Sequence, residues 1–268
     1  MRRGCVAIAV VALGLTSSCS LLLYNDDFSG APGPVDASSP DAPLDESRAE
    51  TDAGDAGEDA APSCATATFC DDFDDGPLGA KWTTVDAVFG ELTLVDGGVS
   101  PPNALRIDLY ARDAGIARRA HLARDFTFPR QLHCSMHVSV PVLASDTDVE
   151  LLTFTANSGS LSAYTFFLKA TRAELTAHEQ LKETSSSSTT RKDIPLENVP
   201  RGRWIHVGVD VDFPAGKLTL DLDGRPVSGA LTPQTNAPLL EVSLGEPDDS
   251  DPSPATILYD DFWCNMSP

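Results

Sequence analysis

The chain has 268 residues, 41% of them apolar, and a formal charge of −21 from 40 acids against 19 Lys and Arg. A surplus of this size would repel a phosphate backbone, so nucleic-acid binding is excluded as a function class. Aromatic residues make up 7%, with three Trp and four Tyr, which leaves little for an extended stacking surface.

Arg2 and Arg3 open the chain as a basic stretch, and Cys5 to Leu15 (CVAIAVVALGL) follow as an apolar run. That run falls short of the roughly 20 residues a membrane-spanning helix needs. It suits the apolar region of an export signal. Thr16-Ser17-Ser18-Cys19 then brings small residues up to a cysteine. This resembles the lipobox of bacterial lipoproteins, with Leu15 one place further back than in the family pattern. The resemblance implies a signal peptide over 1–18 and lipidation of Cys19. Ser20 follows the cysteine, and without an Asp there the resemblance points to the outer membrane, so the partner of the N-terminus is a lipid bilayer. The other reading is ordinary cleavage with Cys19 incidental.

Residues 19–63 form the next segment. From Asn25 to Ser63 it carries eleven acids against Arg48 alone, and Phe28, Val35 and Leu44 are its only large apolar side chains. Such a composition cannot offset the entropy of ordering, which predicts a disordered, extended tether.

From Cys64 onward the pattern has period two. Leu132, Cys134, Met136, Val138 and Val140 alternate with polar residues, as do Ile205 to Phe213, Leu218 to Leu222 and Leu105 to Leu109. Each reads as a strand with one buried face. Asp96-Gly97-Gly98, Pro101-Pro102-Asn103, Pro214-Ala215-Gly216 and Asp223-Gly224 are turns. Leu175 to His178 fits a strand about as well as a helix. The fold class is therefore all-β, a two-sheet antiparallel sandwich over 64–268.

Three segments carry a resemblance: FCDDFDDGPLGAKW from Phe69 to Trp82, WIHVGVDVDFPAGKLTLDLDG from Trp204 to Gly224, and ILYDDFW from Ile257 to Trp263. Together they resemble the concanavalin-A-like jelly roll of laminin-G-like modules, lectins and some glucanases. The resemblance implies that the last strand lies beside the first. It leaves open binding module, enzyme or adhesion domain. Trp82, Trp204 and Trp263 sit in these motifs and read as packing residues.

Cys64, Cys70, Cys134 and Cys264 are an even set in an exported domain, which predicts two disulfides among three available pairings. Parity places Cys134 with Leu132 and Met136, and Cys264 with Leu258 and Phe262. With the strand neighbours the resemblance implies, this favours 134–264 and 64–70.

Candidate sites are few. Asp146, Asp148 and Glu150 alternate, so their carboxyls share a face, the arrangement in which glucanases of this fold hold their catalytic acids. The other reading is a polar turn leading into a strand at Val149. The acids of the first and last strands, Asp71, Asp72, Asp74, Asp75, Asp260 and Asp261, are a candidate structural calcium site. Asp72, Asp260 and Asp261 are the side-chain ligands on that reading, and a solvated acidic edge is the alternative. A glycan platform needs an aromatic with polar neighbours, for which Tyr164, Phe166 or Phe167, His178 and Arg203 qualify. His133 and His137 stand about 13 Å apart along a strand at ~3.3 Å per residue, too far to share one metal ion. No cofactor motif (GxSxG, P-loop or dinucleotide fingerprint) occurs. The expectation is a tethered, non-catalytic module binding carbohydrate or an envelope protein. A polysaccharide hydrolase or lyase, or a purely structural envelope protein, are the alternatives.

Overall fold

A computed structural model describes residues 64–111, 118–144, 148–157, 162–171, 174–183, 189–196, 202–235, 237–249 and 253–268. The signal peptide over 1–18, Cys19, the tether over 19–63 and Asp146 lie outside the described residues.

Fifteen strands are described: β1 (Phe69–Asp71), β2 (Thr84–Val88), β3 (Gly90–Asp96), β4 (Asn103–Leu109), β5 (Arg118–Thr127), β6 (Gln131–Leu143), β7 (Val149–Asn157), β8 (Ser162–Ala170), β9 (Leu175–Glu183), β10 (Thr189–Pro195), β11 (Ile205–Asp212), β12 (Lys217–Leu222), β13 (Arg225–Ala230), β14 (Leu239–Asp249) and β15 (Ala255–Ser267). They form two antiparallel sheets. One runs β13-β12-β11-β6-β15-β4-β3 with β1 also on β15, and the other runs β10-β9-β8-β7-β14-β5-β2. This is the expected sandwich. The segment from Leu175 is a strand, not a helix.

The core lies between the sheets and is built from alternate residues, as the pleat requires. Leu105, Ile107, Val207, Val209, Leu220 and Ile257 close it from the eight-stranded sheet, and Leu122, Phe154, Phe166, Leu168, Val242 and Leu244 from the other. Each contributes about 1.5–3 kcal/mol of burial. The β11–β12 strands continue into β13 through Asp223-Gly224, both at positive φ (53° and 79°), the mirror-image turn that suits a two-residue hairpin.

β15 organises the eight-stranded sheet. β6 pairs along one edge, while the other edge is shared by β4 over Ala255–Tyr259 and β1 over Phe262–Cys264. Between these two partners the strand bulges. Asp260 faces His137 and Trp263 faces Ser135, so two residues of β15 oppose one of β6, and Asp261 takes a φ of 50°. The bulge corrects the parity expected from Leu258. Ile257 and Tyr259 point inward and Leu258 is half-buried, yet beyond the bulge Phe262 and Cys264 are inward again. Cys134 and Cys264 are register partners and are bridged, with S–S 2.06 Å and Cα–Cα 4.1 Å. Cys64 is bridged to Cys70.

Candidate functional site

The sequence candidates divide between the two sheets. Tyr164 is turned into the core, where its ring lies 6.4 Å from that of Phe213 in an edge contact. Arg203 sits at the hairpin of the eight-stranded sheet, 2.9 Å from Asp223. His178 belongs to the outward face of the seven-stranded sheet. These three therefore do not converge, because Tyr164 shares its parity with Phe166 rather than with Phe167.

Asp148, Glu150 and His178 do share that outward face with Phe167 and Lys169. Lys169 Nζ lies 3.2 Å from Asp148 and 3.6 Å from Glu150, and rests over the Phe167 ring at 5.2 Å. The Thr153 hydroxyl donates to Glu150 at 3.0 Å. Burial pushes the Glu150 carboxyl above its ordinary range, with Lys169 and Thr153 pulling the other way. Beside them, Phe167 and His178 are register partners with ring centroids 5.1 Å apart. His178 pairs with Asp193 at 2.6 Å, and Arg191 reaches the same carboxylate at 2.9 Å. Burial draws His178 downward, while hydrogen bonds from Arg191 and His178 hold Asp193 low. The row Ser243, Thr153, Phe167 and His178 is buried, and its polar groups bond to Glu241, Glu150 and Asp193 beside it.

The acids at the strand ends do not assemble as a calcium shell. Asp71 shares the inward parity of Phe69 and accepts the Trp82 indole N–H at 2.6 Å. Asp72 lies 3.5 Å from Lys81. Asp260 is 0% exposed and accepts from the Ser100 backbone N–H at 2.8 Å, and burial pushes its carboxyl up. Asp261 accepts from the Ser100 hydroxyl at 2.6 Å. Asp260 and Asp261 thus meet at Ser100, while Asp72 is engaged elsewhere. Among the described residues no three His, Cys, Asp or Glu converge to hold a metal ion.

A further site, which the sequence candidates missed, lies on the eight-stranded sheet. On the outward face of the eight-stranded sheet, register stacks three rows. Asp221, Gly208, Ser135 and Trp263 form the middle row, across β12, β11, β6 and β15. Thr219, Asp210, His133 and Asn265 lie on one side, and His206, His137 and Asp260 on the other. Gly208 leaves a gap in the middle row. A Cβ there would stand 3.3 Å from the Asp221 Cβ, tighter than ordinary contact, and 3.8 Å from the His206 ring. The result is a groove of about 580 Å³, with Cys64 on its wall through the Cys64–Cys70 bridge. A second hollow of about 670 Å³ continues it past His133 and Asp210 toward Thr219 and Asn265.

Each histidine of the groove has its own acid. His133 Nδ1 contacts Asp210, His137 Nδ1 lies 3.2 Å from Asp261 and His206 Nδ1 lies 3.7 Å from Asp221. The Ser135 hydroxyl is 2.8 Å from His206 Nε2. The His133 ring packs on Trp263 at 4.9 Å, and His137 meets His206 edge-on at 5.4 Å. Trp263 is buried, as a packing residue is, with 9% of its surface exposed, and it also lines the groove. The bulge in β15 puts it there by turning Phe262 inward. Alternation in IHVGVDVD was the available signal: His206, Gly208 and Asp210 fall on the outward parity, and the glycine interrupts them.

No family model matches the chain, and no curated protein matches it. Among solved structures it is similar to the cellulose induced protein Cip1, with a TM-score of 0.52 and 12% identity over 75% of this chain and 99% of that one. Lower scores are found with a family 7 alginate lyase A1-II' (TM-score 0.46, 10% identity, 61% and 80% covered) and a sialidase (0.42, 12%, 67% and 16%). At such identity the likeness is one of architecture, that of a jelly-roll sandwich.

Proposed function

We propose that the protein is an exported lipoprotein of the outer membrane, anchored through Cys19 and spaced from the lipid by residues 19–63, whose domain over 64–268 binds carbohydrate without turning it over. The observation that carries the binding reading is the groove: an aromatic wall of Trp263 and His133 beside Ser135, Asp210 and Asp221. A sugar presents apolar C–H faces and a rim of hydroxyls, and such a wall with convergent polar groups matches both.

A second reading rests on Glu150, whose burial-raised carboxyl has the character of a general acid for polysaccharide cleavage. Its engagement by Lys169 and Thr153 favours a structural role. A glycan array and a polysaccharide-turnover assay on the full chain separate the two. Binding without turnover, lost in Trp263→Ala, supports the groove. Turnover lost in Glu150→Gln supports the second reading. The anchor is tested by palmitate labelling, which Cys19→Ser should abolish.

A further inference from the structure

We infer that the groove selects a saccharide bearing protonated amines, an oligomer of unacetylated amino sugars, over neutral sugars and over uronates. This rests on the carbohydrate-binding reading above and names the substrate class within it. The argument is charge complementarity in a shaped space. Asp210, Asp221 and Asp261 line the groove, and no Lys or Arg is among its described lining residues. The only basic groups there are His133, His137 and His206, one beside each carboxylate. The groove therefore presents three carboxylates around an aromatic wall.

A uronate carboxylate would meet like charge in this groove, which costs specificity for such ligands outright. A neutral sugar would use the hydroxyl acceptors and the Trp263 face but leave the carboxylates to water. An ammonium group on the ring would donate charge-assisted hydrogen bonds to Asp210 or Asp221 while the sugar's apolar face lies on Trp263. The spacing of the acids across β11, β12 and β15 suits a ligand carrying repeated amines rather than a single cation. Neighbouring strands stand about 4.8 Å apart, so the acids are distributed over several strand widths along the groove.

The test is calorimetric titration of the full chain at neutral pH with four matched tetrasaccharides: glucosamine, N-acetylglucosamine, glucose and a uronate. A lysine tetrapeptide serves as a fifth ligand. The expected result is tightest binding of the glucosamine tetramer, weakening as salt screens the carboxylates. Asp210→Asn and Asp261→Asn should each weaken it about tenfold, since a charge-assisted hydrogen bond is lost. The N-acetylglucosamine tetramer should bind less tightly and be unaffected by either variant. Equal binding of the glucosamine, N-acetylglucosamine and glucose tetramers would overturn the inference while leaving the carbohydrate reading in place. Preference for the uronate would overturn it too. Binding of the lysine peptide as tightly as the glucosamine tetramer would overturn it in favour of a basic protein partner. If no saccharide binds, the carbohydrate reading itself fails.

Discussion

On the seven-stranded sheet, Lys169 stands between Asp148 and Glu150, and Arg191 closes on Asp193 beside His178. On the eight-stranded sheet, Asp210, Asp221 and Asp261 have only histidines as ion-pair partners among the described residues. These acids of the first face are paired with its own cations, and its row from Ser243 to His178 is buried. The second keeps a position without a side chain at Gly208, between Asp221 and His206. Both faces are polar, alternating surfaces of a β-sandwich. What separates them is compensation and free space, so substitutions on the first should be read in stability and on the second in binding.

The largest effect should come from the bridge beneath the groove. Cys134 and Cys264 are the chain neighbours of Ser135 and Trp263, and they close a loop of 130 residues. Replacing both with Ala should cost about 2–5 kcal/mol in denaturant unfolding. It should also loosen the groove, lowering ligand affinity. An unchanged unfolding midpoint would show that the strands hold the register unaided.

Charge removal sharpens the contrast between faces. Lys169 and Glu150 have side chains 17% and 14% exposed, whereas Asp210 is 53% exposed. Lys169→Met should cost about 1–3 kcal/mol at neutral pH, because it leaves the buried Glu150 carboxylate without its cation. The loss should shrink as pH falls and Glu150 takes up a proton. Asp210→Asn should stay within about 0.5 kcal/mol. Equal losses from the two variants would erase the distinction drawn here.

The smallest effect concerns Glu241, which lies directly opposite Asp125 in the ladder. Burial, then Asp125, pushes its carboxyl above the ordinary range. A raised folded pKa means that ionisation costs the folded state. The cost is present above the folded value and absent below the unfolded value near ~4.3. Glu241→Gln should therefore stabilise the protein at pH 7 by about 0.2–1 kcal/mol. Thermal melts as a function of pH should show that gain vanishing below about pH 4.

The sandwich was legible because alternation reports a one-sided strand directly, and Ile205 to Phe213 or Leu218 to Leu222 could hardly be anything else. The two disulfides were legible from parity together with the strand neighbours that the resemblance implied. The groove was not, because it depends on which strands lie side by side. His133 and His137 are far apart along β6, yet His137 meets His206 and His133 meets Trp263 across the ladder. The β15 bulge adds a parity change that alternation cannot register, so the place of Trp263 in the groove was not read. Tyr164 was misplaced by one parity step: Phe167, one step off in parity, faces outward. Asp71 was grouped with the candidate calcium acids because nothing local marks it as the acceptor for Trp82.

The five histidines offer the most direct test of the central claim. His133, His137 and His206 line the groove, while His121 and His178 lie on the outward face of the other sheet. Imidazole proton NMR signals, assigned by single substitution, should be followed while the full chain is titrated with the tightest-binding oligosaccharide. The account predicts that the signals of His133, His137 and His206 shift with saturation while those of His121 and His178 stay in place. Saturable shifts confined to His121 and His178 would put the ligand on the seven-stranded sheet and contradict it.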